Sequence, residues 1–321
     1  KSTIVEKVIV DPYKWDWREE DSPPVGIIYY KSLYLSSDLS VPTYINKILR
    51  SKGLSPKSLF VSSLSNYDTV HKVKEIYSEE TIYALITTTS FSSTKSSGKI
   101  KNLFDYLNIP VVQLILSSDT YKNWHKRSRG LGTLDLSLQV VLPEIDGRII
   151  TKPIAFKESR NIDFELETNI QKLIPYKPNI DISLDYVKNL VTLRDTPNSN
   201  KRVTIILANY PVKNGRIANG VGLDTPNSLS LILNWLEKEG YYLGDDFNNP
   251  SGSDIIEKLL RKRTNDPESK SKDPLEFVPL NVYQEWWETQ DQQTKDKIIN
   301  KWKLPQESIE LEELGFPILG I

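Results

Sequence analysis

Pro143-Glu144-Ile145-Asp146-Gly147-Arg148 sets two carboxylates and a guanidinium directly after the apolar run 136–142, which only Ser137 and Gln139 interrupt. A carboxyl desolvated at the end of a buried element has its pKa raised and can then exchange a proton near neutral pH. The segment therefore predicts a buried element halted by Pro143 at the edge of a cleft, with Glu144 pointing inward as a base. Asp146 would open a turn completed by Gly147, and Arg148 would pair with Asp146 or with a ligand carboxylate. The plainer alternative is an exposed turn holding an Asp146–Arg148 pair of little energetic weight.

Two further segments carry residue types suited to anions. "SSDTYKNWHKRSRGLGTLD" (117–135) gathers Trp124, His125, Lys126, Arg127 and Arg129 just before Gly130 and Gly132. It reads as an Arg-Gly loop at a strand end, receptive to an anion, or as an ordinary solvated basic loop. "ANYPVKNGRIANGVGLDTPNS" (208–228) leaves a strand, passes Gly215, Gly220 and Gly222, and enters a helix with Thr225 as N-cap and Pro226 as first helical residue. Asn209, Arg216, Asn219 and the helix start at Thr225 form a candidate anion-accepting pocket, because free N–H groups and a bidentate guanidinium both favour carboxylates. A βα loop with turn glycines is the alternative. No Gly-Lys-Ser/Thr closes this loop and no G-x-G-x-x-G is present, so no nucleotide site is expected in the chain. The two histidines, His71 and His125, have no second His at helical spacing. Glu144, Asp146 and His125 are the remaining candidates for a metal.

The elements that must position these residues alternate. Strand-like runs at 25–30, 58–64, 82–90 and 110–116 are separated by helical patterns at 41–53, 67–80 and 99–109. Such alternation indicates a parallel sheet covered on both faces, with ligands beyond the C-terminal strand ends. The fold class is α/β: successive Rossmann-like or flavodoxin-like parallel-sheet units with a helical C-terminal part. The expected division is an irregular lead-in at 1–23, a first α/β domain at 24–157, a connecting segment at 158–200, and a second, incomplete α/β unit at 201–321. That second unit opens on the strand 202–211, contains a further strand near 241–244, and ends in one amphipathic helix at 281–305 followed by a short strand.

The 321 residues are 38% hydrophobic and 26% charged, with a formal net charge of −1. Near neutrality gives no support for a nucleic-acid partner. No apolar run reaches the roughly 18 residues of a membrane span. Cysteine is absent, which excludes disulfides, thiolate zinc sites and a Cys nucleophile, and suits a reducing, cytoplasmic setting. Methionine is absent too, so the chain is expected to be an internal fragment.

"SRGLGTLDLSLQVVLPEIDGRIITKPIAFK" (128–157), "KRVTIILANYPVKNGRIANGVGLDTPNSLSLILNWLEKEGY" (201–241) and "NVYQEWWETQDQQTKDKIINKWKLP" (281–305) together resemble the large subunits of the cobaltochelatase and magnesium chelatase family. The resemblance runs collinearly from about residue 24 to the end. "DGRI" followed by "FK", and the "NGVGLDTP" loop, favour the cobalt branch. One loop departs: Leu33 stands where the family carries a His, and Ser37-Asp38 where it carries Gly-Asn. The resemblance implies ATP-dependent insertion of Co²⁺, as substrate, into the corrin precursor hydrogenobyrinic acid a,c-diamide. ATP would be hydrolysed by separate AAA+ partner subunits, and this subunit would bind macrocycle and metal. Glu144 is then the base that takes a pyrrole proton, with Arg129 and Arg148 meeting ring carboxylates. The alternatives are a magnesium chelatase subunit acting on protoporphyrin IX, and a non-catalytic α/β scaffold that docks the ATPase. As a fragment, the chain alone is expected to insert no metal.

Overall fold

Val25, Ile27, Ile28 and Tyr29 of strand β2 (Pro24–Tyr30) are fully buried. A strand apolar on both sides needs cover on both faces, and the structure supplies it. The computed structural model describes residues 10–92, 103–163, 168–208, 217–218, 220–244, 249–264, 266–308 and 311–318. The chain divides into two units, Lys1–Asp195 and Thr196–Ile321.

In the first unit, β2, β3 (Ser55–Val61), β4 (Ala84–Thr87), β5 (Val111–Leu116) and β6 (Ile149–Asp163) run parallel. β1 (Tyr13–Trp15) and β7 (Thr168–Pro175) pair antiparallel at the two edges, giving the order β1-β3-β2-β4-β5-β6-β7. The five parallel strands thus follow the flavodoxin-like order 2-1-3-4-5, whose switch point lies between β2 and β4. Helix α1 (Lys31–Leu35) leaves β2 directly. Helix α2 (Ser40–Ser51) buries Val41, Ile45 and Leu49 at four-residue spacing, and α8 (Lys177–Asp195) buries Ile180, Leu184, Val187 and Val191; both pack into one core cluster. Helices α3 (Tyr67–Glu79) and α4 (Leu103–Leu107) supply Val73, Tyr77, Leu103 and Phe104 to the other. Gly26 is required here: a Cβ on it would lie 3.0 Å from the Tyr77 ring and 2.7 Å from Ile82 Cδ1. The ring can therefore reach the sheet, where its hydroxyl meets the carbonyls of Ile27 and Lys57.

The expected boundaries shift in two places. The lead-in is not wholly irregular, because Tyr13–Trp15 forms the edge strand β1 on β3. Residues 158–195 do not link domains: β7 closes a hairpin on β6, and the apolar stripe of α8 needs the surface that the sheet provides.

The second unit contains α9 (Thr225–Lys238), α10 (Gly252–Leu260), α11 (Leu280–Glu288) and α12 (Gln292–Trp302), with β8 (Glu276–Val278) and β9 (Phe316–Ile318) as an antiparallel pair. The single C-terminal helix expected at 281–305 is two, because the Asp291 carboxylate accepts the Thr294 N–H at 2.9 Å and caps a new start. The short strand expected after it is β9. Residues 202–208 and 241–244 form no strand, so a second parallel sheet is absent among the described residues. Among those residues no helix is long and apolar enough to cross a membrane.

The lead-in is held by Asp16, whose carboxylate accepts from Arg50 at 2.6 Å and Asn46 at 3.0 Å, while Arg50 also reaches Glu20 at 2.7 Å. Burial pushes the Asp16 carboxyl up, but the Arg50 and Asn46 hydrogen bonds and the Arg50 charge together hold it below its ordinary value. A depressed folded pKa stabilises fully above the unfolded value of about 3.9 and loses that contribution as pH falls through the folded value. Asp16 has φ +54°, which Asn tolerates. Asp16→Asn should therefore lower urea-unfolding stability by roughly 1–2 kcal/mol at pH 7. The difference from the parent protein should shrink as pH falls below about 4.

Candidate functional site

Residues 133–145 are neither the strand nor the simple buried helix that their apolar content suggests. Helix α6 (Thr133–Leu136) runs through a π-helical turn (Ser137–Val141) into α7 (Leu142–Ile145). Its polar side faces in. Asp135 accepts from the Ser117 hydroxyl at 2.7 Å and the Ser118 N–H at 2.9 Å. The Gln139 amide takes both backbone groups of Leu116, accepting its N–H at 2.9 Å and donating to its carbonyl at 2.7 Å. Leu116 lies past Thr87↔Gln113, the last β4–β5 pair, so Gln139 completes the ladder that β4 leaves open. In the widened turn, the Leu138 carbonyl accepts the Phe91 N–H at 2.9 Å. Single π-turns inside helices recur at functional sites; this one fastens the helical segment to the C-terminal ends of β4 and β5.

The apolar side faces out. Leu134 is 63% exposed, Val141 50% and Ile145 64%. Glu144 is exposed beside them. The expected inward Glu144 is therefore corrected: Asp135 and Gln139 take the inward positions, Glu144 emerges to solvent, and the desolvation on which a buried base depends is missing.

Arg148 makes one of its two expected pairings, with Asp146, but in the interior rather than facing a ligand. Its side chain is 1% exposed and that of Asp146 0%, with 2.8 Å between Nη2 and Oδ2. Nη1 donates to the Thr89 carbonyl and to Gln113 Oε1, both at 2.9 Å, and Nη2 donates to the Phe91 carbonyl at 3.0 Å. The guanidinium lies over the Phe104 ring at 4.8 Å, and Ser92 donates to the other Asp146 oxygen at 2.6 Å. Burial pulls the Arg148 pKa down and the Asp146 carboxylate opposes it. Arg148 is thus committed to loop 88–92 at the switch point, which Tyr30 also ties by donating to the Ser90 carbonyl at 2.9 Å. It has no donor left over for a ligand carboxylate except Nε, which is buried without a hydrogen-bond partner.

The basic loop is anchored at one end and open at the other. Helix α5 (Tyr121–Lys126) starts at Thr120, whose hydroxyl accepts the Asn123 N–H at 3.2 Å. Tyr121, Trp124, Phe156 and Tyr176 cluster beneath it, and His125 stacks on Tyr121 at 5.6 Å. Burial pushes the Asp119 carboxyl up, but hydrogen bonds from Asn123 and Thr120 and the Arg127 charge hold it below its ordinary value. Arg127 pairs with Asp119 at 2.5 Å, whereas Arg129 is exposed and forms no ion pair with a described residue. His125, Glu144 and Asp146 are not brought together, and no cluster of three metal-ligating side chains occurs among the described residues.

In the glycine-rich loop, Asn209, Arg216 and Asn219 lie outside the described residues. Thr225 is the first residue of α9 rather than its cap. Asp224 caps instead, accepting the Asn227 N–H at 3.2 Å, while the Thr225 and Ser228 N–H groups go to the Leu223 and Asp224 carbonyls. Pro226 has no donor, so this helix start already holds its own carboxylate and offers no free N–H to an anion.

A profile described as CobN/Magnesium Chelatase matches residues 5–321. The chain belongs to this family. The aerobic cobaltochelatase subunit CobN of Sinorhizobium sp is 30% identical over 90% of the chain and 23% of its own length. Its counterpart in Pseudomonas aeruginosa is 28% identical over 93% and 24%. A magnesium-chelatase subunit of Cereibacter sphaeroides is 22% identical over 75% and 22%. The catalytic subunit of cobaltochelatase from Mycobacterium tuberculosis superposes with a TM-score of 0.70 at 22% identity, covering 94% of this chain and 25% of that one; it shares the fold. The chain thus spans about a quarter of the length of these family members.

Sequence reasoning missed Asp135, Gln139, Gln113, Thr89 and Ser92. The available signal was the four-residue spacing of Asp135 and Gln139 inside an apolar stretch, which puts both on one helical face. The buried pair yields a stability prediction. Arg148→Met strands a buried carboxylate and should cost about 3–5 kcal/mol in urea unfolding. Arg148→Lys should recover little of it, because an ammonium lacks the planar fork that serves four acceptors here.

Proposed function

We propose that the chain is the part of a chelatase large subunit that receives the tetrapyrrole, and that the complete enzyme inserts Co²⁺ into a corrin precursor, hydrogenobyrinic acid a,c-diamide. The observation that carries this reading is the outward face of residues 133–145. It sets Leu134, Val141 and Ile145 in solvent with Glu144 among them, at strand ends where doubly wound sheets take ligands. An exposed apolar face edged by one carboxylate suits a flat, apolar ring whose central N–H groups must lose protons. Arg129, exposed and unpaired with any described residue, suits a peripheral carboxylate.

Insertion strips water from the ion, distorts the ring and removes N–H protons as nitrogen–metal bonds form. Glu144 is the proton acceptor in this scheme, working from the ring-facing surface rather than from a buried pocket. Cobalt is favoured over magnesium because the cobaltochelatase relatives match at 28–30% over 90–93% of the chain, whereas magnesium-chelatase relatives match at 22% over 75% of it or at 31% over 43%. ATP hydrolysis is assigned to AAA+ partner subunits and the setting to the cytoplasm, both from the family resemblance.

The test uses the complete subunit with its partners, ATP, Co²⁺ and the corrin precursor. Glu144→Gln should keep macrocycle affinity, read by tryptophan quenching, and lower the insertion rate by about 10²–10⁴-fold. Val141→Asp should weaken macrocycle binding itself. Turnover close to the parent enzyme in Glu144→Gln would overturn the role of Glu144, and insertion of Mg²⁺ into protoporphyrin IX in place of the cobalt reaction would reassign the substrate.

A further inference from the structure

Residues 202–208, "RVTIILA", have the composition of a strand but form no ladder with the described residues. Val203, Ile205 and Leu207 line an apolar groove with Leu229 and Leu233 of α9 and Ile255 of α10. Arg202, Thr204 and Ile206 lie outside that lining; Val203 and Ile205 are themselves 55% and 39% exposed, against 90% for Ile206. This two-residue alternation is that of a half-covered strand. No ladder and no backbone hydrogen bond joins 202–208 to a described residue.

A second stretch borders the same groove. Residues 241–244 follow α9 outside any assigned strand, and Tyr241, Tyr242 and Leu243 all line the groove. The order along the chain is strand-like sequence, α9, strand-like sequence, α10. That is the order of a βαβα unit, whose two strands lie parallel in one sheet. Helices α9 and α10 back one side of it, and the other side carries Ile206 in solvent. A parallel sheet is stable only when covered on both faces and paired along its strands, so this arrangement is half of one.

We propose that residues 202–208 are an internal strand of a parallel sheet, completed by extended apolar strands from polypeptide beyond these 321 residues in the same protein. A small ligand could fill the groove but could not satisfy a row of backbone N–H and C=O groups; a strand does both. Length for such strands exists: about three quarters of each matched cobaltochelatase relative lies outside the matched region.

Hydrogen exchange tests it, comparing the 321-residue chain with a polypeptide extended to the full length of its relatives. Amides 202–208 should exchange freely in the 321-residue chain while those of α9 and α10 are protected. In the longer polypeptide the same amides should slow by at least about 100-fold. Ile206→Pro, which removes a donor, should leave the Tm of the 321-residue chain unchanged and lower that of the longer one. Free exchange in the longer polypeptide would overturn the proposal. So would protection in the 321-residue chain alone, whether internal or gained by concentration-dependent self-association, which would make a second copy the occupant.

Discussion

A buried guanidinium organises the first unit. Arg148 stands just ahead of β6, yet its head reaches the loop that follows β4, two strands away in the sheet. A desolvated cation needs a counter-charge and hydrogen bonds to offset the loss of water. Here Asp146 neutralises it, and the carbonyls of Thr89 and Phe91 with the amide of Gln113 take the other donors of its terminal nitrogens. These partners belong to the loop after β4, to β5 and to the turn after α7. Satisfying one side chain therefore fixes three parts of the chain at the C-terminal end of the sheet.

The orientation of residues 133–145 follows from the same end of the sheet. Strand β4 stops short of β5, which leaves the backbone of Leu116 to be satisfied by a side chain. Gln139 fills that role and Asp135 binds the next turn, so the polar side of the helical segment turns inward. Leu134, Leu136, Val141 and Ile145 are then left facing solvent. An inverted amphipathic segment is stable because an unpaired buried backbone group costs more than an exposed Leu or Val. The functional surface is in this sense a by-product of completing the β5 ladder.

The first unit is largely legible in the sequence, because its strands are continuous apolar runs and its helices carry regular stripes: Val25–Tyr29 and Val41–Ile45–Leu49 could hardly be placed otherwise. The site is less legible. "LPEIDGR" marks the right neighbourhood, but the inside and outside of the segment depend on the length of β4, which no local pattern encodes. Local pattern consequently gives Glu144 and Arg148 each other's surroundings. At the start of α9 it points to Thr225 as the cap, whereas the structure makes Asp224 the cap. The strand character of 202–208 is legible as composition, but strand formation needs a partner, and composition carries no information about where that partner lies.

The outward-facing apolar side of residues 133–145 carries the proposed ring contact, and the absence of cysteine gives a clean background for measuring its exposure. Single substitutions Leu134→Cys, Val141→Cys and Ile145→Cys, with Ile86→Cys as a buried control, should be labelled with a maleimide under native conditions. The account predicts rapid modification at the three helical positions, approaching that of the unfolded chain, and none at the control. Protection at all three helical positions, with the fold intact, would contradict it.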